Sequence, residues 1–103
     1  MAIKLVYLDV AIQDLKSIYE YINRDSNKYA VLEINKIKRF IKSLKNFPLK
    51  GKYYETIKGR EILSIVFRNY IIFYTNTEDK ILILSIHHHA RLISNNPAFK
   101  DDE

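Results

Sequence analysis

The chain of 103 residues contains no cysteine, and this absence excludes disulfide bonds and thiolate metal sites. A cysteine-free composition is compatible with a reducing cytoplasm, which is where we expect the protein to be found. No apolar run approaches the roughly 20 residues that cross a bilayer, so we expect no membrane partner. Residues 1–8 form one short apolar run without a signal-peptide cleavage site, and we interpret Ile3 to Leu8 as a strand.

Positive charge is concentrated in one part of the chain. The formal net charge is +5, yet Lys28 to Arg60 holds ten basic residues against Glu33 and Glu55, a local net charge of +8. This asymmetry predicts an anionic partner, either nucleic acid or an acidic protein segment. The alternative is a solvated lysine face on a helix. We expect one domain over residues 1–103, with residues 98–103 as a frayed tail.

The spacing of apolar residues predicts an α+β fold in the order β-α-α-β-β-β. Two segments repeat apolar residues at intervals of three and four, which indicates helices. We expect Asp9 to cap the first helix, Ser26 or Asp25 to cap the second, and Asn46-Phe-Pro48 to end it. Strands are predicted over residues 62–67, 70–74 and 81–86, and residues 53–57 are a candidate for one more. These elements predict an antiparallel-dominated sheet of about four strands, covered on one face by the helical hairpin.

Alternation along the strands predicts which side chains share a face of the sheet. Leu63, Ile65 and Phe67 fall on one face, whereas Arg60 and Arg68 fall on the other. Arg60 and Arg68 would then lie about 26 Å apart along one strand. In the last strand, the residues expected to share a face with His88 are Leu82, Leu84 and Ile86.

Several segments together resemble the RelE/ParE superfamily of bacterial toxins. They are the helical phrase Asp14 to Ile22, the stop at Asn46-Phe-Pro48, a basic loop with glycine, Arg60 opening a strand, Tyr70-Ile-Ile-Phe-Tyr74, and the ending Ile86-His-His-His-Ala-Arg91. The ending is similar to ParE-like sequences at His88, Ala90 and Arg91, and it departs at His89, where glycine is common. The resemblance covers nearly the whole chain.

The resemblance implies the toxin of a type II toxin–antitoxin pair of the plasmid stabilisation type, neutralised by a cognate antitoxin. RelE-like members cleave mRNA on the ribosome, whereas ParE-like members poison DNA gyrase. RelE-like members commonly carry a tyrosine shortly after the position of Arg91, and this chain has none there. That difference favours the ParE-like branch, a gyrase inhibitor that acts by binding. A toxin that has lost its activity, or a plain nucleic-acid-binding module, is the remaining alternative.

Basic and imidazole side chains are the candidate functional residues. Metal-free RNA cleavage needs an acid–base group, usually histidine, and cations that stabilise the charged phosphorane. If the chain is a ribonuclease, the catalytic candidates are Lys50, Lys52, Arg60, His88 and Arg91. As a binding surface, the candidates are Lys50, Lys52, Tyr53, Lys58, Arg60, Arg68, His88 and Arg91. Tyr53 and Tyr54 lie within the basic loop and are candidates for base stacking.

The run of three histidines has a structural alternative. His87 and His89 alternate with His88 along an extended chain, and no carboxylate or thiol lies nearby to complete a metal site. We therefore expect no metal and no other cofactor. The alternative role for His88 is a partly buried, hydrogen-bonded side chain that fixes the end of the sheet.

Overall fold

The computed structural model describes residues 3–88, which form two helices and five strands. The elements in chain order are β1 (Lys4–Tyr7), α1 (Asp9–Asn23), α2 (Asn27–Ser43), β2 (Lys52–Ile57), β3 (Arg60–Phe67), β4 (Tyr70–Asn76) and β5 (Lys80–His88). The strands form one sheet in the order β1-β5-β4-β3-β2. All neighbours are antiparallel except β1 and β5, which are parallel.

The predicted class and the helical hairpin are confirmed, but the expected count of four strands is wrong. The fifth strand is β2, the candidate over residues 53–57, which pairs with β3 and forms one edge of the sheet. Every residue of β2 is exposed, so the strand lacks the buried apolar positions by which the other strands were found. The tail expected at residues 98–103 lies outside the described residues.

The two helices begin differently. The hydroxyl oxygen of Ser26 accepts a hydrogen bond from the Tyr29 backbone N–H at 3.2 Å, so the predicted cap of α2 is confirmed. Asp9 does not cap α1. The N-cap is Leu8, whose side chain makes no capping bond, and Asp9 is the first helical residue. A carboxylate in the first turn is still favourable because it faces the positive end of the helix dipole.

The core lies between the helical hairpin and one face of the sheet. Ile37 and Ile41 of α2 are fully buried against a layer of strand residues that includes Ile72 and Ile83. Leu63, Ile65 and Phe67 share one face of β3, as predicted, and that face is the helix-covered one. The ring of Phe67 stacks on Phe40 of α2 with a centroid separation of 4.4 Å. The opposite face of the sheet has no described helix over it and is named here the helix-free face.

A bulge in β5 changes which residues share the face of His88. Phe73 pairs with Ser85 and Tyr74 pairs with Ile83, so Leu84 is an extra residue in β5. An extra residue shifts the alternation by one position. The buried residues Ile81, Ile83 and Ile86 therefore lie on one side of β5, and the prediction that His88 shares its face with Leu82 and Leu84 is wrong.

Arg68 does not lie on the face predicted for it. It occupies the tight turn between β3 and β4 with a φ angle of 56°, so the strand alternation no longer applies to it. Its Nε donates to the Glu33 carboxylate of α2 at 3.3 Å. Arg68 therefore lies on the helix side of the sheet, away from the face that carries Arg60.

Candidate functional site

The helix-free face carries a row of aromatic rings contributed by β2, β4 and β5. The ring of Tyr54 meets the edge of Phe73 at a centroid separation of 4.9 Å, and Phe73 meets His87 at 5.3 Å. Tyr54 lies at the irregularity in the pairing of β2 with β3. Lys52 pairs with Ser64 and lies on the same face. The row offers a partly exposed aromatic surface, with Lys52 on the same face of the sheet.

Sequence reasoning identified only part of this row. Tyr53 and Tyr54 were equal candidates for stacking, but they point to opposite faces. The Tyr53 hydroxyl lies 2.8 Å from the Thr56 hydroxyl, and Tyr53 pairs with Leu63 of the helix-covered face. His87 was considered only as a metal ligand, because its pairing with Ile71 and its contact with Phe73 depend on a strand register that the sequence does not show.

His88 lies at a corner of the helix-covered face. It pairs with Tyr70 of β4, and the two ring centroids are 5.3 Å apart. The ring of Tyr21 of α1 is 6.3 Å from His88 on the other side. Tyr70 is 2% exposed, and its burial, together with the charge of Glu33, raises the pKa of its hydroxyl. This environment fits the structural role for His88, since aromatic rings from a strand and a helix enclose the imidazole.

Arg60 and Lys58 lie at the tip of the β2–β3 hairpin. The two turn residues, Lys58 and Gly59, have φ angles of 51° and 81°, as expected for a two-residue hairpin turn. Arg60 borders a depression shared with Leu49, Glu61, Leu63 and Asn76. Within the described residues, the side-chain oxygen of Asn76 is buried and has no hydrogen-bond partner. The hairpin tip is therefore basic, and it lies beside this unpaired side-chain oxygen of Asn76.

The candidate catalytic residues do not converge within the described part of the chain. Arg60 opens β3, whereas His88 lies level with Phe67, seven residues along that strand. At 3.3 Å per residue this is a separation of about 23 Å along the strands, and the two side chains lie on opposite faces. Lys52 pairs with Ser64, which puts it about 13 Å from Arg60 in the same direction. Arg91 lies outside the described residues.

Lys50 belongs to a segment that is fixed to the sheet, residues 47–51, named here the pinned loop. The Pro48 carbonyl accepts hydrogen bonds from the Tyr74 hydroxyl at 2.9 Å and from the Asn76 amide at 3.0 Å. The Gly51 N–H donates to the same Tyr74 hydroxyl at 2.9 Å. Phe47 and Leu49 nevertheless point outward, with 65% and 80% of their surfaces exposed. Sequence reasoning missed this pair, because a loop has no periodicity that separates buried from exposed residues.

A second basic surface lies along β1. β1 has β5 as its single strand neighbour among residues 3–88, so its other edge carries unpaired backbone groups. Lys38 and Lys42 of α2, and Lys45 just after its end, line a depression beside this edge together with residues 3–7. We call it the basic trough.

An apolar groove adjoins the basic trough. It lies between the two helices and is lined by Tyr7, Ile12, Leu15, Lys16, Tyr19, Ile34 and Lys38, with Tyr7 and Lys38 shared with the trough. This groove is named the helical groove. Together the two surfaces could hold a segment that is apolar in one part and acidic in the next.

Residues 3–88 contain no group of three or more His, Asp or Glu side chains placed to hold a metal ion. Neither helix within that range is long and apolar enough to cross a membrane.

Comparison with known proteins places the chain in a family. Among solved structures, it is similar to the chromosomal ParDE TA system from P. aeruginosa, with 20% identity over 84% of this chain and 96% of that one, and a TM-score of 0.67. It is similar to the archaeal RelE–RelB complex from Pyrococcus horikoshii OT3, with 13% identity over 88% and 99% of the two chains and a TM-score of 0.63. It is also similar to the E. coli DinJ–YafQ complex, with 21% identity over 87% of this chain and 97% of that one, and a TM-score of 0.57.

These likenesses establish the fold. No protein with a curated function matches the sequence. The family model of the ParE toxin of type II toxin–antitoxin systems matches residues 5–93, most of the length of the chain. The chain therefore belongs to the ParE toxins, within the RelE/ParE superfamily.

Proposed function

We propose that this toxin inhibits DNA gyrase by binding, without a catalytic site of its own. The separation of Arg60 from His88 is the observation that carries the proposal, because acid–base cleavage of RNA needs both groups within reach of one phosphate. The exposed surfaces described above are suited to binding. A gyrase target would place the toxin in the bacterial cytoplasm, with no cofactor required.

A gyrase cleavage assay tests the proposal directly. Purified toxin, gyrase and supercoiled plasmid should give linear DNA with covalently attached protein after denaturation, in amounts that rise with toxin concentration. The same toxin inactivated by heat serves as the control. Unchanged supercoiling activity, with no linear product at a large excess of toxin, would count against a gyrase target.

A RelE-like ribonuclease is the alternative, and the helix-free face favours it in one respect. The row Tyr54–Phe73–His87 could stack against unpaired bases, with Lys52 beside it. In that case the toxin should cleave mRNA on translating ribosomes, and His87→Ala and Lys52→Ala should each reduce cleavage at least tenfold. Cleavage that is absent in the wild-type protein, or unchanged in both variants, removes this alternative.

We further propose that the cognate antitoxin occupies the helical groove and the basic trough. The groove is apolar and the trough is lined by lysines beside an unpaired strand edge, so an extended acidic segment could pair with the edge of β1. The antitoxins that accompany the RelE and YafQ structures are the partners of those proteins.

Neutralising the trough should weaken antitoxin binding. Each exposed ion pair contributes about 0.2–1 kcal/mol, so replacing Lys38, Lys42 and Lys45 together with alanine should raise the Kd roughly tenfold. The effect should shrink as salt is added, because exposed charges are screened. Titration calorimetry at two salt concentrations checks both expectations. The control is Lys36→Ala and Arg39→Ala, two basic residues of α2 that do not line the trough; an equal loss there would contradict the assignment.

A further inference from the structure

Apart from the tyrosines, Leu49 and Phe47 of the pinned loop are the most exposed large hydrophobic side chains among the described residues. Phe47 is 65% exposed and Leu49 is 80% exposed, and they flank Pro48 on the same short segment. With Pro48 and Lys50 they border a shallow depression of about 560 Å³. Clustered apolar side chains of this size on a surface mark an interaction site more often than scattered ones.

The loop is held in this conformation by the buried sheet. Tyr74 is fully buried, and its hydroxyl bridges the Pro48 carbonyl and the Gly51 N–H. A Cβ at Gly51 would lie 2.7 Å from that hydroxyl and 3.0 Å from the Ser64 carbonyl oxygen, so the chain passes as close to β3 and β4 as a glycine allows. Since the backbone is fixed on both sides of Leu49, the main chain that carries Phe47 and Leu49 is held in place before any partner binds. A segment whose main chain is already ordered loses less conformational entropy on binding.

The charge around the loop defines the partner. The pinned loop and the strand that follows it carry Lys50 and Lys52, and residues 46–54 include no acidic residue. Lys50 borders the same depression as Phe47 and Leu49, and its ammonium group lies 5.9 Å from the centre of the Phe40 ring of α2. A surface complementary to this arrangement has an apolar cleft bordered by carboxylates. Nucleic acid fits less well, because only Phe47 of the pair offers a ring for base stacking and the more exposed Leu49 offers none.

We infer that Phe47 and Leu49 are the anchors by which this toxin docks into an acidic-rimmed apolar cleft on its target protein. The inference rests on the proposed function, in that it takes the target to be gyrase rather than RNA. It assigns target binding to the pinned loop and leaves the helical groove and the basic trough to the antitoxin. The depression at the loop shares no lining residue with either of those surfaces.

The test compares two double variants with the wild-type toxin. Phe47→Ser with Leu49→Ser removes the anchors. Val31→Ser with Leu32→Ser is the matched control, since both residues are 44% exposed on α2, away from the loop. For each protein, thermal unfolding, antitoxin affinity and the toxin concentration that gives half-maximal gyrase cleavage are measured.

We expect the anchor variant to need at least 30 times more toxin for half-maximal cleavage, with antitoxin affinity within twofold of wild type and cooperative unfolding retained. The control variant should match wild type in the cleavage assay. An anchor variant as potent as wild type, or one whose antitoxin affinity falls as much as its potency, would overturn the inference alone. Wild-type toxin that yields no cleavage complexes overturns the proposed function and, with it, this docking partner. An anchor variant that unfolds is replaced by the single variants Phe47→Ser and Leu49→Ser, and full potency in both would also overturn the inference.

Discussion

Replacing Tyr74 with phenylalanine should lower the free energy of unfolding by about 1–3 kcal/mol. Tyr74 is fully buried, and its hydroxyl donates to the Pro48 carbonyl and accepts from the Gly51 N–H. Its removal leaves the Gly51 N–H without this acceptor and takes one of two donors from Pro48. Each buried polar group left unpaired costs roughly 1–3 kcal/mol. For a domain whose total stability is about 5–15 kcal/mol, this is a large fraction.

Urea unfolding measures the effect as a lower midpoint with an unchanged slope. Tyr53→Phe is the matched control, because its hydroxyl bonds to Thr56 on an exposed strand and should contribute less than about 0.5 kcal/mol. Amide hydrogen exchange at Gly51 should also accelerate in Tyr74→Phe. Equal midpoints for the two variants would show that the loop is held by something other than this hydroxyl.

Replacing Asp14 with alanine should cost about 2–3 kcal/mol. One carboxylate oxygen of Asp14 accepts from the Ile86 backbone N–H at 2.9 Å, which joins α1 to β5 beyond the end of β1. β1 pairs with β5 only as far as Ile83. Beyond that point, the Asp14 side chain supplies the hydrogen-bond acceptor that the backbone of β1 supplies earlier in β5. Hydrogen bonds to a charged group contribute about 1.5–3 kcal/mol, and the N–H would otherwise be left partly buried and unpaired.

Glu20→Ala tests whether loss of an acidic residue from α1 is enough to explain the effect. Glu20 is exposed on the same helix, so its removal should change stability by less than about 0.5 kcal/mol. Asp14→Asn retains an acceptor oxygen and should recover part of the loss. A chemical shift change at Ile86 in Asp14→Ala, without change in the β3–β4 turn, would localise the disruption to β5.

The sequence predicted the parts of the fold that depend on periodicity. Apolar residues three and four apart identified both helices, and alternation identified the residues of β3 that share a face. Of the two predicted caps of α2, Ser26 and Asp25, the structure selects Ser26. β2 could not be established in that way because its side chains all face solvent, and it is held by backbone pairing with β3. The bulge at Leu84 was equally hidden, since an extra residue in a continuous apolar run leaves no mark in composition.

The candidate site was less predictable than the fold. Lys50, Lys52 and Arg60 are near in sequence, which suggested a cluster, but a hairpin places Lys52 and Arg60 at different distances from its tip. Residue spacing alone did not predict the family. The resemblance to the RelE/ParE superfamily did, and the match to the family model confirmed that prediction. The exposure of Phe47 and Leu49 depends on Tyr74, more than 20 residues later, and contacts at that separation are visible only in the folded chain.

The two edges of the sheet differ in a way that limits self-association. At the β2 edge, the irregular register around Tyr54 interrupts the regular row of backbone donors and acceptors, and such bulges discourage edge-to-edge pairing. The β1 edge is regular but is flanked by lysines, which repel the same edge of another copy. Among the described strands, then, each molecule has at most one edge suited to pairing. Two copies that paired through the β1 edge would use up that edge in both molecules and form a closed dimer. No edge would then remain for further strand pairing, which disfavours the growth of fibrils from free toxin.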